Sequence, residues 1–335
     1  MSFNSQLIRA RAIVISDKKE TNYGTALLDA SLTHSLRFDG GAFSTLPEQQ
    51  FFSDAGLAKG FPWASVRTEI QRDAKFSLSG AAVYDYFAGW IGAFLFGKVT
   101  TTGAVSPYTH KFTADLSTLL SPVTSIWIQD TADVKYKLMD LAITSAKFNG
   151  GAVGPVTCDI EMIGSGHHLD AGTFVAPALA NPTFILNNDA DILLGPPGAP
   201  VSIKQRVRSW SVSIDGQQEA VRHPGGGIYA GYHRRGDMKF GLQMQVSAKD
   251  VDDIRTLLIN GTEQEVQINV NSGAAAQLKF RFPHVKFKGG PAADGNFVAY
   301  NLTVDDNGLL ANNYPTDEPF EMTVVNGQAS WLTAG

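Results

Sequence analysis

One pattern occurs twice in this chain, 164 residues apart: Asp73-Ala74-Lys75-Phe76-Ser77-Leu78 returns as Asp237-Met238-Lys239-Phe240-Gly241-Leu242. An apolar, helix-compatible run follows each copy and stops at a glycine, Gly97 and then Gly261. A chain of 335 residues that repeats itself at half its length reads as two copies of one small domain. Three further matches keep the same order. Ser35-Leu36-Arg37-Phe38-Asp39-Gly40 resembles Ser211-Val212-Ser213-Ile214-Asp215-Gly216, and Ala146-Lys147-Phe148-Asn149-Gly150-Gly151 resembles Val285-Lys286-Phe287-Lys288-Gly289-Gly290. Each double glycine is followed by another alternating strand, Val156 to Ile163 and Phe297 to Val304. Four matches in one order point to duplication; the alternative is one unusually regular β protein.

The pattern along the chain is mostly strand. Arg67 to Leu78, Thr109 to Thr113, Ser125 to Gln129, Tyr136 to Phe148, Val207 to Ile214, Lys239 to Val246, Glu265 to Val270 and Gln277 to Phe282 alternate or are rich in β-branched and aromatic residues. Two segments have helical spacing. Val83 to Phe96 repeats Phe87, Trp90, Ile91, Phe94 and Leu95 at i, i+3, i+4, i+7 and i+8. The second has Ser247 as N-cap, Asp250, Asp252 and Asp253 in its first turn, where the helix dipole favours negative charge, and Asn260-Gly261 as its stop. The expected fold is mainly β: two tandem β-sandwich or barrel domains, each with one short α-helix on its side. Residues 1–168 form the first domain, with an N-terminal arm and a long 40–65 loop. The stretch 169–200 carries five prolines (Pro177, Pro182, Pro196, Pro197, Pro200) and fits a linker. Residues 201–335 form the second domain.

Composition removes several function classes. A 44% hydrophobic and 18% charged chain has a sizeable core, and disorder is not expected. A net charge of −5 argues against a basic nucleic-acid reader. With Cys158 as the single cysteine there is no internal disulfide and no cysteine metal cluster. The opening Met1-Ser2-Phe3-Asn4-Ser5-Gln6 lacks the form of a signal peptide. The most apolar run, Tyr86 to Gly97, falls well short of the roughly 20 residues a helix needs to cross a bilayer. No membrane association is expected.

Candidate chemistry is thin. Of seven histidines only His167-His168 adjoin, and adjacent strand residues point to opposite faces, which makes a poor chelate. Gly164-Ser165-Gly166 is too short for a nucleophile elbow and reads as a turn. Gly225-Gly226-Gly227 leads into no convincing helix and has no lysine-serine pair, so a loop is the better account than a phosphate cradle. No catalytic, cofactor or metal residue is expected, and the protein reads as a non-enzyme. The residues with most functional interest are Phe43, Phe51, Phe52, Phe61 and Trp63, which sit in a segment without clear period. Long irregular segments inside compact domains are usually functional. This one either packs on a neighbouring subunit or folds back onto its own sheet.

Several segments, taken in order, are similar to the major tail tube proteins of long-tailed, siphovirus-type bacteriophages. They include Glu20-Thr21-Asn22-Tyr23-Gly24-Thr25, Gly60-Phe61-Pro62-Trp63-Ala64, the strand Arg72 to Leu78, Ala88-Gly89-Trp90-Ile91-Gly92-Ala93-Phe94-Leu95-Phe96-Gly97 and Tyr108-Thr109-His110-Lys111-Phe112-Thr113. The likeness is strongest over residues 18–165 and extends to Ser211–Gly216 and Lys239–Gly261. The resemblance implies a structural virion protein whose sheets join around a lumen, in stacked rings that form the hollow tube for DNA ejection. It implies self-association and partners that include tape measure, tail terminator and baseplate proteins, with DNA only transiently in the lumen. It also implies assembly in the host cytoplasm and a final place in the virion tail. Rings in that family hold six tube domains; with two per chain, three chains make a pseudo-sixfold ring, and a homohexamer of one larger domain is the second reading. A modestly acidic wall would repel phosphates. A carbohydrate-binding β-sandwich and a baseplate hub of the same fold are the alternatives.

Overall fold

The computed structural model describes residues 12–36, 43–44, 47–53, 67–115, 117–129, 134–179, 181–247, 251–294, 297–304, 309 and 318–335. The chain is mainly β with two α-helices, Asp85–Phe96 (α1) and Val251–Asn260 (α2). Strands are named below by their first residue.

One large sheet organises the molecule. Its strands run side by side in the order Lys288–Asp294, Phe297–Val304, Lys239–Ser247, Val207–Asp215, Lys135–Gly150, Thr157–Gly164 and Arg67–Ala82, with Phe43–Ser44 and Pro47–Ser53 both against Arg67–Ala82. Every neighbour is antiparallel. Period-2 patterning explains these strands. In Thr157–Gly164 the inward Cys158, Ile160 and Met162 are buried, whereas Thr157, Asp159 and Glu161 face out. In Val207–Asp215 the inward set is Trp210, Val212 and Ile214, and the outward set is Ser209, Ser211, Ser213 and Asp215.

The second sheet runs Val201–Ser202, Ala190–Gly195, Gln264–Asn271, Gln277–Val285, Glu321–Asn326, Tyr108–Ala114 and Gly97–Thr102. It packs on the inward face of the first through aromatic contacts. The Phe148 and Phe280 ring centroids are 5.0 Å apart, and those of Phe240 and Phe320 4.6 Å. The proline-rich stretch is laced into this core. Ile185 is fully buried and its N–H bonds Val83 O, and Ala190–Gly195 pairs along its length with Gln264–Asn271.

The two helices differ because their sequences do. Helix α1 is buried from Tyr86 to Phe96, so it lies within the core and not on its side. Its sequence has no polar face, and a helix that is apolar all round has to be covered all round. Gly89 and Gly92 permit the contact: a Cβ on Gly92 would lie 2.8 Å from the Phe112 ring, and one on Gly89 would lie 2.5 Å from Trp331. Gly97 ends the helix in the left-handed conformation at φ 79°. Arg235 reaches in and donates from Nη1 to Phe96 O at 2.7 Å, satisfying a C-terminal carbonyl. In α2, by contrast, Ile254 is buried while Arg255, Thr256, Ile259 and Asn260 are exposed. The expected acidic first turn of α2 lies on residues whose side chains are outside the described set.

At an exposed helix position, Gly→Ala adds up to about 1 kcal/mol of stability. At Gly92 the Phe112 ring reverses the sign: Gly92→Ala is expected to lower unfolding free energy by about 1–3 kcal/mol, the usual cost of overpacking. Urea unfolding measures it, and a stabilised variant would contradict this packing.

Candidate self-assembly surface

The outward face of the large sheet is polar, extended and nearly balanced in charge. Hydroxyl and amide side chains such as Ser77, Ser211, Ser213, Gln243 and Thr303 make up most of it. Among the described residues, Lys75, Lys147, Lys239 and Lys288 stand against Asp159, Glu161 and Asp215. Opposite charges face each other across strands: Lys147 is in register with Asp159, and Asp215 with Lys239. Such pairs favour the local register and leave little net field.

The middle of this sheet is a seam between elements far apart in sequence. The Lys135 and Val207 strands pair through Ser145↔Asp215, Ala146↔Ile214, Lys147↔Ser213, Phe148↔Val212, Asn149↔Ser211 and Gly150↔Trp210. At its two ends the sheet stays open among the described residues. Among the described strands, Lys288–Asp294 pairs with Phe297–Val304, and the Phe43 and Pro47 strands pair with Arg67–Ala82. Open edges are templates for further strands.

The aromatic candidates fall as follows. Phe43 is opposite Leu78, Phe51 opposite Glu69 and Phe52 opposite Thr68, all on this sheet edge, where the backbone alone is described. Phe61 and Trp63 lie outside the described residues. Pro47–Ser53 is thus strand and pairs with its own sheet, although Pro-Glu-Gln-Gln-Phe-Phe-Ser lacks the alternation that marks one. The Ser35 match also resolves differently. Ser35 pairs with Val14 of the strand Ala12–Ile15, and the residue facing the repeated leucine, as Val212 faces Leu242, is Phe43 facing Leu78. A short alternating run is too common a pattern to fix such an equivalence.

A buried polar cluster ties the segment after Ser16 to the sheet; nothing in the sequence singled out these groups together. Asp140, at φ 56°, sits where the Lys135 strand shifts register against Thr124–Gln129. Its carboxylate accepts from Gly24 N at 2.6 Å and from the Ser165 hydroxyl, and its own N–H donates to Glu20 Oε2 at 3.1 Å. Ser125 Oγ donates to Glu20 Oε1 at 2.5 Å. Burial first, and the Asp140 carboxylate second, push Glu20 up to about 9, so it is protonated at neutral pH. Beside it, burial raises Tyr23 and pulls His233 down to about 4; the Tyr23 hydroxyl donates to His233 Nδ1 at 3.0 Å. These groups bond one another and hold the chain in place. Glu20 and Tyr23 belong to a segment already notable for its resemblance, and that was the one signal pointing here.

The other chemical candidates are structural too. His167 stacks on Tyr229 with ring centroids 3.6 Å apart, and His168 is exposed, in register with Leu138. The Gly225 loop is a turn closed by Gly226 N to His223 O. The Cys158 thiol is fully buried, which pushes its pKa up. No group of three metal-binding side chains comes together among the described residues.

The fold defines a mainly β structural protein organised around one extended sheet. A family model described as phage tail tube protein matches residues 12–314, and the chain belongs to that family. The virion tail is accordingly its location. No curated protein matches the chain.

The titrations give opposed slopes. Glu20 is raised above its ordinary 4.5, so its contribution to stability is full below 4.5 and lost as pH climbs through about 9. His233 is depressed below 6.5, so its contribution is full above 6.5 and lost as pH falls toward about 4. Glu20→Gln is expected to flatten the decline in stability between pH 6.5 and 9, which one proton limits to about 1.4 kcal/mol per pH unit. Denaturant midpoints across that range measure it; an unchanged slope would contradict the buried protonated carboxyl.

Proposed function

We propose that this chain polymerises into stacked rings that form the hollow tail tube of a long-tailed phage, the conduit for DNA. The observation that carries the proposal is the seam at the centre of the large sheet. Each half of the chain contributes strands in one order: Phe43/Pro47, Arg67, Thr157 and Lys135, then Val207, Lys239, Phe297 and Lys288. The repeated Lys-Phe strands, Arg67–Ala82 and Lys239–Ser247, occupy the same place in each set, and each is followed by a helix. That supports two tube-like units, residues 1–168 and 201–335, joined side by side through 169–200. A sheet extends by adding copies of itself at its end strands, and closure into a ring removes exposed edges. Two units per chain favour three chains in a pseudo-sixfold ring. Tape measure, terminator and baseplate proteins are the proposed further partners, met during assembly in the host cytoplasm.

The polar outward face is the proposed lumen wall. Among its described residues basic and acidic side chains alternate with hydroxyls and amides. Such a wall gives phosphates no cluster of cations to bind, and DNA slides past it. The aromatic edge segment is the proposed contact between subunits. No catalytic step belongs to this reading.

Concentrated protein viewed by electron microscopy is expected to form long hollow tubes; monomers at every concentration, with or without preformed tail ends, would contradict the reading. Tubes of a Ser211→Arg/Gln243→Arg variant are expected to retain duplex DNA at about 50 mM salt and release it at about 200 mM, the signature of counterion-linked binding. Wild-type tubes should retain little at either. Equal retention would remove the face from the lumen.

A further inference from the structure

We infer that successive rings stack as plug and socket: a ridge bearing Val153, Leu186 and Asp189 on one copy enters a pocket beside Arg235 on a copy in the next ring. This rests on the tube reading and names the contact that holds one ring on another.

The socket is built around a cation that lacks acceptors. Arg235 is 5% exposed, and arginine is almost never buried so fully without a partner. Its Nη1 donates to Phe96 O, but among the described residues Nε and Nη2 have no acceptor. The charge of Asp115 acts on it, yet that carboxylate accepts from Ser117. A buried guanidinium with idle donors is destabilising, and a carboxylate or carbonyl that reaches it offsets the penalty. Beside Arg235 lies a pocket of about 270 Å³, lined mainly by Phe96, Met238, Phe240, Pro319 and Phe320. Asp237 and Glu318 also line it, and neither bonds the idle donors. Gly97 makes room for the cation, because a Cβ there would collide with Nη2. An apolar pocket with one buried cation suits aliphatic side chains carried next to an acid.

The plug has that composition. Residues Gly151 to Gly154 form a tight turn, with Gly154 at φ 88° and Val153 75% exposed. Pro155 bridges Leu186, and Asn187 donates from N to Gly154 O at 2.8 Å and from Nδ2 to Pro155 O at 3.0 Å. The turn and the short 3₁₀ helix Asn187–Asp189 are thereby one ridge. Leu186 and Asp189 are exposed on it, and the Asp189 carboxylate has no partner among the described residues. An unpaired acid beside two aliphatics matches an unpaired cation beside an apolar pocket.

Plug and socket sit at opposite ends of the sheet. Gly150, next to the ridge, pairs with Trp210, whereas Lys239, next to the pocket, pairs with Asp215 of the same strand. Five residues of strand put these places about 17 Å apart. Helix α1 spans the same distance: Asp85 N–H donates to Thr183 O near the ridge, and Phe96 lines the pocket. Strands in a closed barrel run about 35–45° from its axis, so strand ends make the two faces of a ring. A contact between unlike surfaces on opposite faces leaves a new plug and a new socket at every step, as an open-ended stack requires.

The test is a Val153→Asp/Asp189→Arg variant, which alters exposed side chains only. It puts a charge into the apolar pocket and a second cation beside Arg235. The variant is expected to form rings of wild-type mass and at least about tenfold less tube at the same concentration, because like charges set together oppose docking. Tubes at the wild-type yield overturn the contact and leave the tube reading standing. Failure of the wild type to form tubes overturns both. Hydrogen exchange on the wild type gives a second readout that needs no variant. The Ala152 and Val153 amides, and those of Asp237 and Met238, should exchange at least about tenfold more slowly in tubes than in unassembled protein. Unchanged exchange at either segment overturns the contact.

Discussion

The structure depends on the need of strand backbone to be paired. An eight-position antiparallel sheet has a row of N–H and C=O groups at each end, and each unpaired, dried group is costly. Inside the chain that need is met where the Lys135 and Val207 strands join the two halves. Residues on the two sides of this join come from distant parts of the sequence, and nothing in it is special to a single chain. Six consecutive pairs, alternating buried apolar and exposed polar partners, hold it. In the proposed assembly the same kind of pairing joins copies, and the polar face lines the interior of the ring.

Rigidity behind that sheet comes from the second sheet and from α1. The helix is apolar on every side and is covered by both layers; Gly89 and Gly92 let Trp331 and Phe112 come close. Around it Phe96, Phe240, Phe280, Phe282 and Phe320 form one connected aromatic group. A wall unit that has to keep its edges in register benefits from such a core, because close-packed interiors transmit little slack. The cluster at Glu20, Asp140, Tyr23 and His233 does similar work for the N-terminal segment, with mutually bonded polar groups standing in for apolar ones.

Much of the fold was legible because it rests on period-2 alternation. Phe297–Val304 was read residue for residue, and Thr157–Gly164, Val207–Asp215 and Lys239–Ser247 within one residue at either end. Pro47–Ser53 escaped because Glu48-Gln49-Gln50 and Phe51-Phe52 repeat a type where a strand should alternate. The central packing of α1 depends on Gly89 and Gly92, whose part is set by the rings placed against them and is invisible to helical spacing. The surface itself was visible only as the repeat; which described residues share the outward face, and which strands end the sheet, are three-dimensional facts. The Glu20 cluster was hidden for the same reason, since a glutamate in a polar arm gives no sign of burial.

In the proposed tube one chain supplies two units of the wall, and the mass of a single isolated ring decides this. Three chains, each of 36.0 kDa, are expected in a ring with sixfold features. A ring of six chains would mean that the two halves form a single unit, and would contradict it.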